Sequence, residues 1–110
     1  MKEGKNLNKY KIQFSKDARM DLIDTYSYIK YNLQEPAIAK KMITKIREEI
    51  NELKDNPTIY AVVKDEIIKK REIRKIKVNN YIVFYRVEEK NKIVEIVRIM
   101  YVRRNWTKIL

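Results

Sequence analysis

The sequence predicts an α+β domain: an antiparallel helical hairpin packed on a mainly antiparallel four-stranded sheet, in the order β-α-α-β-β-β. Three observations predict it. Residues 9–14 alternate polar and apolar, two stretches between Ser15 and Leu53 carry apolar residues at helical spacing, and three strand-like runs occupy residues 71–102.

In "KYKIQF" (9–14), Tyr10, Ile12 and Phe14 share one face of the first strand. Ser15 offers an N-cap, after which Ala18, Leu22, Tyr26, Ile29 and Leu33 recur on one helical face. Glu35-Pro36 breaks this helix and opens another, because proline suits a first helical turn. Ala39, Met42, Ile43, Ile46, Ile50 and Leu53 form its stripe, and "DNP" (55–57) stops it. So short a joint predicts an antiparallel hairpin.

Residues 58–71 show no period and read as a connection. In "REIRKIKV" (71–78), Ile76 and Val78 share a face with Arg74. Asn79-Asn80 is a hairpin turn signal, since asparagine tolerates positive φ. "YIVFYRV" (81–87) is apolar on both faces, as a central strand requires, and "EEKNK" (88–92) turns the chain into "IVEIVRIMYV" (93–102). Residues 1–8 are expected as a flexible lead-in to a single domain over 9–110.

The chain has no cysteine and no histidine, which removes disulfides, thiolate metal sites, the cysteine nucleophile and the usual general base. No metal site and no cofactor is expected, and Gly-rich phosphate loops and nucleophile elbows are missing. No apolar run suits a membrane span or leader, so a cytoplasmic location is the expectation. The formal net charge of +11 is uneven: residues 1–57 hold 12 Lys/Arg against 9 Asp/Glu, and residues 58–110 hold 14 against 6. The excess reads either as a solvated basic surface or as the mark of an anionic partner, nucleic acid or an acidic protein, and composition does not choose between them.

Three groups of residues carry the candidate chemistry. "IKKREIRKIK" (68–77) contains Lys69, Lys70, Arg71, Arg74, Lys75 and Lys77, opposed only by Glu72. In a strand, Arg74 points away from Arg71, Lys75 and Lys77 and into apolar surroundings. There its guanidinium needs a carboxylate, a carbonyl or a ligand phosphate. Arg86 falls opposite Glu95 across the loop 89–92, which predicts an ion pair, whereas Arg98 has no partner that the pattern names. In "RIMYVRRNW" (98–106), Tyr101 and Arg103 alternate onto one face and Val102 and Arg104 onto the other, ahead of the sole tryptophan, Trp106. Trp106 is either a stacking platform for a base or part of a lid, with Ile109 and Leu110, over the sheet.

Read together, "YKIQFS..A..DL", "YSYI", "P.IAKKMITKI...I..L...P", "R.IKVNNYIVFYRV" and "IVRIMYVRRNW..IL" resemble the RelE/ParE superfamily of bacterial type II toxin–antitoxin toxins, in family order over residues 9–110. The resemblance implies a growth-inhibiting toxin, often tied to plasmid stabilization, whose partner is a cognate antitoxin. Its target is either the ribosome with mRNA, cut without metal, or DNA gyrase. As a nuclease, the chain would use Arg74 and Arg103 on the developing phosphate charge, with Tyr101 or Lys77 moving the proton. Lys69, Lys70, Arg71, Lys75, Arg98, Arg104 and Trp106 would bind nucleic acid or target. The sequence departs from the nuclease pattern twice: Ile82 stands where an arginine is common, and Trp106 stands near the place of a proton-transferring tyrosine or histidine. A non-toxic basic RNA-binding module is the alternative.

Overall fold

The computed structural model describes residues 9–65, 68 and 71–110. The expected lead-in, Lys69 and Lys70 lie outside the described residues. Strand β1 (Lys11–Phe14) leads into helix α1 (Lys16–Ser27), which continues as a π-helical turn over Tyr28–Asn32. Helix α2 (Pro36–Asn51) ends in a 3-10 turn, Glu52–Lys54. Strands β2 (Arg74–Val78), β3 (Tyr81–Glu88) and β4 (Ile93–Tyr101) follow, then a four-residue helix α3 (Trp106–Ile109).

The sheet order is β1-β4-β3-β2, with β1 parallel to β4 and the other pairs antiparallel. β3 is thus flanked on both sides, as its two apolar faces require. Phe84 and Tyr85, neighbours on β3 facing opposite ways, are both fully buried. On one side the two helices cover Ile76, Val78, Val83, Tyr85, Val94, Ile96 and Ile99. On the other side Ile82, Phe84 and Met100 pack with Val63, Ile68, Ile73 and, partly buried, Val102, Trp106, Ile109 and Leu110. The C-terminal segment therefore covers the second face, in keeping with the lid reading of Trp106, Ile109 and Leu110.

Ser15 places α1. Its Oγ accepts the Ala18 N–H at 2.9 Å, the expected N-cap, and donates to the Val97 carbonyl at 2.8 Å. Its own N–H donates to the Ile96 carbonyl at 2.9 Å. Three bonds on one residue thus fix the helix start against β4. At the far end, the Leu33 N–H reaches the Tyr28 carbonyl at 3.1 Å, and Gln34 takes φ 54° before Pro36 restarts the chain.

The strand limits differ slightly from the periodic pattern. β2 begins at Arg74 and not at Arg71, because Glu72 adopts φ 53° and breaks the extended line. β4 ends at Tyr101, one residue early. Its register slips between Phe84↔Arg98 and Tyr85↔Ile96, leaving Val97 as an extra residue. This bulge inverts the alternation, so Ile96 and Ile99 both face the helices.

Candidate functional site

The bulge also decides where the C-terminal basic end points. Beyond it, Tyr101 lies on the helix-facing side, edge-on to Tyr81 with ring centroids 5.6 Å apart. Burial raises the Tyr81 pKa first, and the neighbouring phenols of Tyr101 and Tyr28 add to it. Tyr101 itself is 40% exposed.

Arg103 and Arg104 occupy the turn after β4, exposed, and their side chains have no hydrogen-bond or ion-pair partner among the described residues. The backbone holds this turn: Val102 N–H donates to the Asn80 carbonyl at 2.8 Å, and Arg104 N–H to the Tyr101 carbonyl at 3.0 Å. The guanidinium groups are displayed from a fixed base. Trp106 then folds onto the opposite sheet face, its ring 5.3 Å from that of Phe84. The Lys75 ammonium lies 5.2 Å from the indole centroid, a cation–π distance. Trp106 is therefore a partly buried lid residue with one side still open. Lys77, exposed on the same strand as Lys75, has no side-chain partner among the described residues. Arg71 is exposed and donates to the carbonyl of Leu110, tying the tail to the segment before β2.

Two candidate arginines have internal partners. Arg74 sits among the helix-side residues and donates through Nη1 to the Tyr60 carbonyl at 2.6 Å and, more loosely, to the Thr58 carbonyl at 3.4 Å. The carbonyl partner, one of the three expected for it, is the one present. Beside it, the Tyr85 hydroxyl donates to the Pro57 carbonyl at 2.6 Å. Burial pushes the Tyr85 pKa up to about 12. Together these two side chains hold the connection 57–60 against the sheet.

Arg98 pairs with Asp21 of α1 in a two-pronged contact, Nε at 2.8 Å and Nη2 at 2.9 Å. The same carboxylate accepts the Ile99 N–H at 2.8 Å. Hydrogen bonding by Asp21 raises the Arg98 pKa. Asp21 is the residue that pattern reading overlooked. Its signal was a carboxylate in register with the apolar stripe of α1, between Ala18 and Thr25. Arg86 bonds Glu95 at 3.1 Å, as expected from the loop length.

The candidates thus divide. Arg74 lies four residues along β2 from Val78, whose row continues through Tyr81 to Tyr101. That is roughly 13 Å of strand, before the two intervening strand spacings are added. Lys77 is on the opposite face from Tyr101. Among the described residues no cluster of three or more metal-ligating side chains exists, and no helix is long and apolar enough to cross a membrane.

A family model described as the ParE toxin of the type II toxin–antitoxin system, parDE, matches residues 12–106. No curated protein sequence matches. Among solved structures, the chain is similar to one from the chromosomal ParDE toxin–antitoxin system of P. aeruginosa, at 21% identity and TM-score 0.71, covering 87% of this chain and 99% of that one. It is similar to one from the RelBE2 toxin–antitoxin complex of Mycobacterium tuberculosis, at 19% identity and TM-score 0.61, covering 84% and 98%. A double mutant of the E. coli toxin RelE in the free state aligns at 13% identity and TM-score 0.65, covering 92% of each chain.

Proposed function

The chain belongs to the ParE toxin family of type II toxin–antitoxin systems, and from that premise we propose that it arrests growth by binding DNA gyrase rather than by cutting mRNA. One observation carries the choice: the residues that a nuclease would need do not converge. Arg74 is committed to two carbonyls of its own chain, Tyr101 packs on Tyr81, and Lys77 stands on the other side of the sheet. Among the described residues Arg103 and Arg104 stand together with unpaired guanidinium groups, Trp106 beside them, a composition suited to contact with an acidic surface. A cognate antitoxin that supplies carboxylates to this end silences the toxin.

The test is direct. Purified protein added to DNA gyrase should reduce supercoiling, and the double variant Arg103→Ala/Arg104→Ala should lose the effect while keeping its circular dichroism spectrum. Programmed ribosomes given the same protein should retain intact mRNA. Cleaved mRNA with normal supercoiling would overturn the reading.

A further inference from the structure

We propose that Tyr28 of the π-helical turn belongs to the target-contact surface. With Tyr81 and Tyr101 it forms a phenol corner that seats an aliphatic side chain of an acidic protein, while Arg103 and Arg104 take that protein's carboxylates. The inference deepens the reading of this end of the sheet as the contact, and rests on it.

The course of α1 places Tyr28 there. The helix runs alongside β4: Ser15 bonds the Val97 carbonyl at 2.8 Å and Asp21 the Ile99 N–H at 2.8 Å. Asp21, Thr25 and Tyr28 lie four and then three residues apart, so they form one row of the helix. Seven residues of helix rise about 10.5 Å, and three residues of strand about 10 Å. Tyr28 therefore stands at the level of the β4 end, between Tyr101 and Arg103. The Tyr81 phenol agrees with this placement: burial raises its pKa first, and the nearby phenols of Tyr101 and Tyr28 add to it.

The same turn leaves Tyr28 available. Its carbonyl accepts the Leu33 N–H at 3.1 Å, five residues on, and π-turns of this kind are rare and recur at functional sites. Tyr28 is 52% exposed and Tyr101 40%. The neighbouring rings of Tyr26 and Tyr31 are taken up by the Lys30 ammonium, at 5.4 and 5.1 Å. The Tyr28 ring has no cation over it and no ring partner among the described residues.

Chemistry selects the occupant. Tyrosine and arginine together are the residues that concentrate binding energy at protein contacts. Tyr81 and Tyr101 meet at 71°, which makes a corner and not the flat platform on which a base would stack. A corner fits the end of an aliphatic side chain. Asp21, on the same helical row, is held by Arg98 and the Ile99 N–H, so it does not neutralise Arg103 or Arg104. The complementary surface is therefore acidic around an apolar centre.

The test uses the full-length protein in the supercoiling assay and, independently of the target, growth arrest on induced expression. Tyr28→Ala should raise the concentration for half-maximal inhibition about tenfold, and Tyr28→Phe less than about threefold. Tyr28→Glu, which sets a carboxylate against an acidic surface, should cost more than Tyr28→Ala. Tyr31→Ala should change nothing. Thermal midpoints are read alongside, and Tyr101→Ala serves as the second variant if Tyr28→Ala melts early. Full inhibition by Tyr28→Ala and Tyr101→Ala, with inhibition lost in Arg103→Ala/Arg104→Ala, would overturn the corner and leave the gyrase reading standing. If the unmodified protein leaves supercoiling intact, the gyrase reading fails by itself and growth decides the corner: arrest relieved by Tyr28→Ala supports it, and undiminished arrest overturns it. A milder effect of Tyr28→Glu than of Tyr28→Ala, or binding of a labelled single-stranded oligonucleotide that Tyr28→Ala abolishes, would also overturn the proposal.

Discussion

Asp21 and Tyr85 show how single side chains hold this fold at positions that apolar patterning does not mark. The Asp21 carboxylate takes both Arg98 and the Ile99 N–H, and its side chain is only 10% exposed. Asp21→Ala leaves Arg98 unpaired at a site that is 19% exposed and opens a donor on the β4 edge. Breaking such a pair should lower stability by roughly 3 kcal/mol, read as a shifted denaturant midpoint. An unchanged midpoint would mean that water replaces the carboxylate without penalty. Tyr85 gives a pH signature. Its pKa is raised to about 12, above its unfolded value near 10.0, so folding favours the neutral phenol. Its contribution is complete below about pH 10 and is lost as pH rises towards 12. Absorbance titration of tyrosinate should therefore show one late-ionising phenol, absent in Tyr85→Phe. That variant also leaves the Pro57 carbonyl unpaired and should cost about 1 kcal/mol near neutral pH.

Elements were legible in the sequence where periodicity and turn chemistry agreed. Ser15, Pro36 and Asn79 each stand where the chain changes direction, and each does the work its chemistry suggests; Asn79 takes φ 53° in the hairpin turn. The central position of β3 followed from its two apolar faces. The extra residue at Val97 was not legible, because a run of large apolar residues reads the same with or without a bulge. That one residue decides which side Tyr101 faces, and so separates it from Lys77. Arg74 was legible as a buried cation in need of a partner, but the partners are backbone carbonyls from an aperiodic connection, and no pattern names a carbonyl. The cap at Ser15 permits a test at this scale. Ser15→Ala loses both the Ala18 bond and the Val97 bond, and should destabilise by about 1–2 kcal/mol in chemical denaturation. Ser15→Asp keeps an acceptor for Ala18 but no donor for Val97, so it should recover only part of that loss.

At the scale of the molecule, the sheet is covered by two unlike layers, and they respond differently to damage. The helical layer is continuous and closes over a large apolar cluster. The other layer is assembled from short segments, of which the tail contributes Trp106, Ile109 and Leu110 against Phe84 and Met100. Trp106 is thus bound to both structure and display: its ring covers Phe84 while Arg103 and Arg104 stand three and two residues earlier in the chain. Truncation after Asn105 should uncover Phe84, Ile82 and Met100 together. Loss of the Trp106 contact alone should cost roughly 2 kcal/mol, less than for a fully buried indole because this one keeps an open side. The truncated protein should unfold earlier on heating and bind a hydrophobic dye such as ANS, whereas Arg103→Ala/Arg104→Ala should do neither. If gyrase inhibition survives truncation but fails in the double arginine variant, the tail is a cover and the arginines are the contact. If truncation abolishes inhibition while the thermal midpoint holds, Trp106 belongs to the contact surface itself, and the division between lid and display is wrong.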